Sequence, residues 1–322
     1  MGKRTGMSRL IGLFAILLVW MLCACTSMKY GLYEMAIDGE RAKAGLSLKQ
    51  TAIGGKSIAF LEGERAPGKS NLVLIHGFGA NKDNWVRFAK FLTDFFYVVA
   101  VDLPGHGDSV KDPNLPYDLD DQVGYLNELL AQLGIREFHI SGNSMGGAIA
   151  ALYAARYPEQ VRSLMLMAPG GIYQYESDLT RQLAGGKNPL IVTNEDEFDA
   201  LMDFVLEKKP FLPWPMTSVM AEKAMANRPI NEKIFDDIRG EHRYQFQEEL
   251  KKIAVPTLII WGRKDRVLNV ENAAVFEKLI PRSRKVILED IGHVPMVEDP
   301  GGTAAICRLF MEEHESSGRP LP

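Results

Sequence analysis

The segment Gly142-Asn143-Ser144-Met145-Gly146 constrains the fold of this chain more than any other feature. It directly follows a short apolar strand at 138–141 and runs into a helix of small residues at 147–156. A strand-to-helix turn this tight leaves no room for side chains at its flanking positions, so glycine is needed there. The central serine is held in a strained conformation at a helix N-terminus, where free N–H groups favour developing negative charge. Ser144 is therefore a candidate nucleophile at the top of a sheet.

Two loops further along the chain supply the partners that a serine nucleophile needs, a base and an acid that orients the base. Asp265 follows an apolar strand at 256–262, and His293 follows a second one at 285–288. Both therefore fall beyond the carboxyl ends of strands, where open α/β sheets bind ligands. Alone, the aspartate is equally typical of a turn or a helix cap, and the histidine of an ordinary loop. In the chain order serine, acid, histidine, the three residues predict a catalytic triad.

A glycine-rich loop at 76–79 is predicted to complete an oxyanion hole, because acyl transfer requires two N–H donors aimed at the developing oxyanion. One donor is the N–H of Met145, the residue after the nucleophile. The other is the N–H of Phe78, because Gly77 and Gly79 let the backbone approach the substrate. Three polar residues near these loops are interpreted as braces rather than as catalysts: His76, Asp102 and His106.

Strand and helix signals alternate from about residue 55 to residue 167, stop at Pro169 and resume at Val255. Such alternation predicts an α/β fold with a mostly parallel central sheet and helices on both faces. The interruption predicts a helical cap inserted over the active site. The predicted divisions are a lipoprotein-type signal peptide (1–24), an N-terminal tether (25–50), the first part of the core (51–169), the cap (170–251) and the second part of the core (252–322).

These motifs together resemble the α/β-hydrolase fold over about residues 50–312. More narrowly, segments 76–85 and 265–268 look like those of bacterial lipases and the related monoacylglycerol lipases. The resemblance implies a serine ester hydrolase that acts on acyl glycerols. It assigns the nucleophile, acid, base and two oxyanion donors to Ser144, Asp265, His293, Phe78 and Met145.

Two other functions remain open at this point. Carbon–carbon bond hydrolases of the meta-cleavage-product type share the Gly-Asn-Ser-Met-Gly-Gly elbow and a turn like Ala168-Pro169-Gly170-Gly171, so the elbow alone does not separate the two classes. A non-catalytic lipoprotein that kept the fold to bind a ligand is the other alternative. The intact set of catalytic parts speaks against it.

The N-terminus predicts export and lipid attachment. A basic start at 1–9 precedes an apolar stretch at 10–24, which is shorter than the roughly 20 residues that a membrane span needs. Leu22-Cys23-Ala24-Cys25 resembles a bacterial lipoprotein cleavage box, so Cys25 is expected to carry the lipid anchor. Thr26, rather than aspartate, favours the outer over the inner membrane. The alternatives are secretion after ordinary cleavage and anchoring by an uncleaved N-terminal helix. A cytosolic hydrolase needs no such leader, so the presence of the leader favours the lipid-active interpretation.

Composition excludes several partners. Loss of three basic residues with the leader moves the formal net charge from −4 to −7, and the chain has no basic cluster, which argues against nucleic acid. No histidine or cysteine has metal-ligand spacing, so we expect no metal and no cofactor. The expected partners are an acyl ester lipid as substrate and a membrane through the lipid anchor. Oligomeric state is left open.

The cap is where substrate choice is expected to reside. Its segment at 211–216 is apolar and rich in proline, and we predict Phe211 and Trp214 as substrate-binding residues of an acyl-chain entrance whose rim touches lipid. The alternative is that these side chains form the cap's own small core.

Overall fold

The computed structural model describes residues 27–239 and 243–315. The predicted signal peptide, Cys25 and residues 316–322 lie outside the described residues. Within them, eight strands form one sheet in the order β1-β2-β4-β3-β5-β6-β7-β8. The strands are β1 (Ser47–Ile53), β2 (Lys56–Glu62), β3 (Ser70–Ile75), β4 (Phe96–Val101), β5 (Phe138–Asn143), β6 (Val161–Met167), β7 (Thr257–Gly262) and β8 (Ser283–Leu288).

The predicted mostly parallel sheet is confirmed. β1 and β2 form an antiparallel hairpin, β2 pairs antiparallel with β4, and the remaining neighbours are parallel. Six parallel strands, β3 to β8, therefore end at the same edge of the sheet. The loops that follow them meet there, which brings together candidate residues far apart in the chain.

The inner strands β3 to β7 are buried on both faces because their side chains alternate between two apolar layers, whereas the edge strands β1 and β8 are more exposed. In β3, Val73 and Ile75 belong to one core, whereas Leu72 and Leu74 belong to the other. Helices cover both layers, as expected for a mostly parallel sheet. Within the described ranges they are α1 (27–43), α2 (Val86–Ala89), α3 (Leu119–Gln132), α4 (Met145–Arg156), α5 (Asp178–Ala184), α6 (Glu195–Val205), α7 (Met216–Ala226), α8 (Arg228–Ile238), α9 (Arg243–Leu250), α10 (Asn272–Leu279), α11 (Pro295–Glu298) and α12 (Pro300–Glu315).

Helices α5 to α9 lie between β6 and β7 in the chain, in the segment predicted as the cap. Phe235 of α8 packs edge-on against Phe78, with ring centroids 5.5 Å apart. Phe246 of α9 and Phe78 pack against the same core as Met145. The cap thus contacts the two loops that carry the candidate nucleophile and oxyanion donors.

The segment predicted as an N-terminal tether contains helix α1, which packs on cap helix α7. Tyr33 of α1 is buried with Val219 of α7, and the Tyr30 hydroxyl donates to a Glu222 carboxylate oxygen over 2.9 Å. Lys29 also pairs with Glu222, 193 residues away. The partner of α1 is thus far away in the sequence.

Candidate active site

Ser144 occupies a strained turn between β5 and α4. Its φ of 54° and ψ of −119° lie in a region that residues other than glycine rarely adopt, at a typical cost of about 1–3 kcal/mol. Close packing enforces the turn, because a Cβ at Gly142 would overlap the Gly146 carbonyl and a Cβ at Gly146 would overlap the carbonyl oxygen of His76. The Ser144 N–H donates to the Met167 carbonyl over 3.0 Å, and the Ser144 carbonyl accepts from Gly170 over 2.8 Å. These contacts fix the serine at the first turn of α4.

Asp265 and His293 form a hydrogen-bonded pair. The Nδ1 of His293 lies 2.8 Å from Oδ2 of Asp265, and the aspartate side chain is fully buried. Trp261 Nε1 donates to the same oxygen over 2.9 Å, while the N–H groups of Val267 and Leu268 donate to the other over 2.8 and 2.9 Å. With these donors around it, the carboxylate is fixed in orientation and accepts the Nδ1 proton of His293. The opposite ring nitrogen is then free of that proton and able to accept one.

The loop at 291–294, termed here the histidine loop, is tied to the elbow by Asn143. The side-chain amide of Asn143 donates to the carbonyls of His293 and Met167, each over 3.0 Å. Asn143 is buried, so both bonds are shielded from water. Its role was not predicted, because the motif identifies only the positions that the tight turn requires. The one signal that the sequence offers is an asparagine directly before the candidate nucleophile.

Glu298 joins the histidine loop to the cap. The N–H of His293 donates to the Val205 carbonyl, at the end of α6, over 3.1 Å. Residues 205–208 are termed here the cap root. The Glu298 carboxylate accepts N–H groups from both sides, at distances of 2.9–3.2 Å: Gly292 and Val294 of the histidine loop, and Glu207 and Lys208 of the cap root. One side chain thus joins the loop of the candidate base to the cap, and sequence reasoning did not identify it.

The loop predicted to form the oxyanion hole lies against the elbow. A Cβ placed on Gly77 would come within 3.2 Å of the Ser144 Cβ, so glycine permits this approach. Phe78, Ser144 and Met145 line one cleft. Neither the Phe78 nor the Met145 N–H donates a hydrogen bond to another described residue. Two N–H groups beside the serine are thus available to an incoming oxygen.

His76 and His106 brace the oxyanion loop and are fully buried. His76 accepts from the Leu103 N–H over 3.1 Å and its other nitrogen lies 2.7 Å from the Gly77 carbonyl. Burial lowers the pKa of His76 to about 4 and that of His106 to about 3, so both rings are neutral near pH 7. Asp102, the third predicted brace, is buried in an ion pair with Lys82 at 2.8 Å.

The cleft extends from Ser144 along one face of α4. Its wall on this helix is formed by residues at every fourth position, which lie on one face: Ser144, Ala148, Leu152 and Arg156. Twelve residues of α-helix span about 18 Å, the scale of a long acyl chain. Apolar side chains of the cap and the following loops form the opposite wall: Leu179, Leu190, Phe235, Phe246, Val267 and Leu268.

Phe211 and Trp214, predicted as substrate-binding residues, do not line this cleft. Their side chains are 83% and 66% exposed, so they do not form a core of the cap either. They lie in the irregular segment between α6 and α7, whereas the apolar wall of the cleft is supplied by other parts of the cap.

Two features are absent from residues 27–239 and 243–315, a metal site and a membrane-spanning helix. No cluster of three or more histidine, cysteine, aspartate or glutamate side chains there could hold a metal ion. Among the helices of the same ranges, none is both long enough and apolar enough to cross a membrane. Cys307 is a free thiol, and burial raises its pKa far above the usual range.

Comparison with known proteins is consistent with this geometry. The family model described as "alpha/beta hydrolase fold" matches residues 71–212 and 223–300. Lipase 3 of Moraxella sp. (strain TA144) is 33% identical over 315 residues, covering 96% of this chain and 98% of the relative. The human monoacylglycerol lipase ABHD6 is 33% identical over 255 residues, covering 76% of this chain and 75% of that protein. The crystal structure of a bacterial membrane phospholipase A is 41% identical, covers 95% of this chain and 99% of its own, and superposes with a TM-score of 0.85.

Proposed function

This chain belongs to the α/β-hydrolase fold family and is an ester hydrolase, and we propose that it cleaves carboxylic esters of acyl glycerols through an acyl-enzyme on Ser144. The observation that carries the proposal is the buried Asp265–His293 pair, whose loop is hydrogen-bonded to the residue before a strained serine. Such strain persists where the surrounding structure enforces it, as it does at active sites.

The proposed mechanism has two acyl-transfer steps. His293 takes the proton of Ser144, and the serine oxygen attacks the ester carbonyl, while the N–H groups of Phe78 and Met145 stabilise the oxyanion. The intermediate collapses when His293 returns the proton to the departing glycerol oxygen. Water then attacks the acyl-enzyme by the same route and releases the fatty acid and free Ser144. Asp265 keeps the imidazole in the required tautomer throughout.

The cleft along α4 supports a long acyl chain as the part of the substrate that is recognised. Its wall next to the serine is apolar, with Met145, Ala148 and Leu152 in succession, and burial of each methylene contributes about 0.8 kcal/mol. The three relatives are named as a lipase, a monoacylglycerol lipase and a membrane phospholipase A. These names and the length of the cleft together favour acyl glycerols as the substrate class.

Membrane attachment and export are part of the same proposal. The leader and its cleavage box support lipid modification of Cys25, which would hold the enzyme at the outer membrane where acyl glycerols and other lipids are within reach. Metabolic labelling with an alkyne fatty acid, followed by fractionation of the membranes, tests this. Cys25→Ala should abolish label and membrane retention, and retention of both would overturn the proposed anchor.

Hydrolysis of defined substrates tests the reaction. The full chain in detergent should release fatty acid from a monoacylglycerol series, and Ser144→Ala should abolish this release. Emulsified triacylglycerol, a phospholipid and a meta-cleavage dienone serve as comparison substrates. Turnover of the dienone alone would identify a carbon–carbon bond hydrolase instead.

Labelling with a fluorophosphonate distinguishes an enzyme from a binding protein. Only an activated serine reacts readily, so wild type should be labelled and Ser144→Ala should not. Ser141→Ala is the matched control, because Ser141 is buried in β5, the strand that leads to Ser144, and its hydroxyl has no partner among the described residues. Equal labelling of wild type and Ser144→Ala would refute the assignment of the nucleophile.

A further inference from the structure

The irregular cap segment between α6 and α7 exposes two aromatic side chains within four residues. Phe211 is 83% exposed and Trp214 is 66% exposed, and neither lines the active-site cleft. Large apolar surface held in water is unfavourable, and a contiguous exposed patch is typical of an interaction site. Residues 209–214 are termed here the docking loop.

The docking loop is held outward by the structure around it. Pro210 and Pro213 fix φ within the loop, and Pro215 fixes it directly after, so few backbone conformations would let the rings fold back onto the protein. The cap root immediately before the loop is bound to Glu298 through the N–H groups of residues 207 and 208, each over 2.9 Å. Because both sides of the loop are constrained, the exposure of Phe211 and Trp214 is a feature of the fold.

The docking loop lies beside the helix that follows the predicted anchor. Leu212 packs in the same apolar cluster as Tyr33 of α1 and Val219 of α7. Tyr33 is six residues from the first described residue of α1, which corresponds to about 9 Å along the helix axis. A membrane that holds the N-terminus would therefore be close to Phe211 and Trp214.

The composition of the loop suits the interface of a lipid bilayer. Tryptophan and phenylalanine place apolar rings at the headgroup level, and lysines next to them contact anionic headgroups. Lys208 and Lys209 are both exposed immediately before Pro210, with Lys209 paired to Asp203. The same segment continues from the cap root, so a bilayer contact here lies next to the histidine loop.

We propose that the docking loop inserts Phe211 and Trp214 into the surface of the bilayer that holds the N-terminal anchor. This inference rests on the proposed function, because docking of the loop presents the active site to lipid esters in the membrane. Contact with the bilayer shortens the path of a lipid from the membrane to the cleft. It does not alter the reaction at Ser144.

Quenching by brominated lipid tests insertion directly. The full chain carries four tryptophans, of which Trp85 and Trp261 are fully buried, so Trp20→Phe leaves Trp214 as the exposed one. This variant is reconstituted into phosphatidylethanolamine–phosphatidylglycerol vesicles with and without brominated acyl chains. Insertion predicts that about a third of the total emission is quenched and that this loss disappears in Trp20→Phe/Trp214→Ser. Equal emission in both kinds of vesicle would overturn the proposal.

A kinetic comparison separates failure of docking from failure of the proposed function. Phe211→Ser/Trp214→Ser should slow hydrolysis of a long-chain ester in the vesicle by about tenfold, given the apolar burial lost, and leave a soluble short-chain ester unaffected. Leu309→Ser is the matched control, because Leu309 is 64% exposed on α12. Equal loss on both substrates would refute docking, whereas a wild type inactive on both would refute the proposed function.

A second copy of the chain is the competing occupant of this surface. Analytical ultracentrifugation of wild type and the double variant in detergent detects it. If the two substitutions dissociate an oligomer, and Trp20→Phe, which keeps Trp214, shows no quenching by brominated lipid, the surface is a contact between copies. An unchanged sedimentation coefficient together with quenching supports the bilayer.

Discussion

Replacement of Glu298 by glutamine is expected to weaken both the fold and catalysis, although Glu298 makes no hydrogen bond to Ser144 or Asp265 among the described residues. One oxygen of its carboxylate accepts three N–H groups, and the other accepts two, with Gly292 shared between them. Glutamine offers one acceptor oxygen and turns an NH2 group toward at least one remaining N–H. Every bond also loses the contribution of the negative charge.

The size of the effect follows from these bonds. Hydrogen bonds to a charged group contribute about 1.5–3 kcal/mol each and those to a neutral group about half, while an N–H left without an acceptor costs about 1–3 kcal/mol. Glu298 is half-buried, which reduces each contribution. We therefore expect Glu298→Gln to lower the free energy of unfolding by about 2–4 kcal/mol.

Catalysis should fall because the same bonds position the histidine loop. A displacement of about 1 Å at a catalytic group costs up to 100-fold in rate, so a decrease of about tenfold in kcat with little change in KM is expected. Urea unfolding and hydrolysis of a soluble short-chain ester measure the two effects. Glu289→Gln is the control, since Glu289 makes an exposed ion pair with Arg263 nearby. Wild-type stability and kcat in Glu298→Gln would refute the reasoning.

Four further predictions concern other parts of the site. Asp265→Asn should lower kcat by about 10³–10⁴-fold on a short-chain ester because the amide favours the wrong imidazole tautomer, and full activity would contradict the assignment of the acid. Ser144→Gly should abolish activity yet raise the free energy of unfolding by about 1 kcal/mol relative to Ser144→Ala, because glycine tolerates the positive φ; equal melting temperatures would contradict the strain argument. Leu152→Trp should block the cleft and lower hydrolysis of long-chain but not short-chain monoacylglycerols, and an unchanged chain-length profile would place the acyl chain elsewhere. Wild type should lose stability as the pH falls from about 6.5 toward 3, because His76 and His106 bind protons in the unfolded chain but stay neutral when buried in the fold. His106→Phe should reduce the dependence of the free energy of unfolding on pH, measured by urea unfolding. An unchanged dependence would show that His106 is not its source.

Sequence predicted the parts of the fold that repeat a local pattern. Buried parallel strands such as β3 and β4 are continuous apolar runs, and the elbow needs glycine at fixed positions, so both were recognisable. The mostly parallel sheet and the place of the cap segment in the chain were predicted from the alternation of strands and helices. The resemblance then supplied the family, which the comparisons confirm.

Sequence did not predict contacts that depend on tertiary structure. Asn143 and Glu298 hydrogen-bond to backbone groups of distant loops. The identity of the residue that supplies such a backbone group does not reveal the contact, so the sequence does not predict it. Helix α1 was predicted as a tether because its partner, α7, lies far along the chain. Phe211 and Trp214 were predicted to bind substrate because an apolar, proline-rich segment looks the same in sequence whether it faces a pocket or solvent.

The packing of α1 on α7 has a consequence for the order in which the chain matures. Lys29 is separated by 193 residues from Glu222, its ion-pair partner. At about 5–20 residues per second, α1 is synthesised roughly 10–40 s before its docking surface exists. During that interval the apolar face around Tyr33 lacks its native cover. A nascent chain arrested before α7 should therefore present a binding site for chaperones that the finished protein hides.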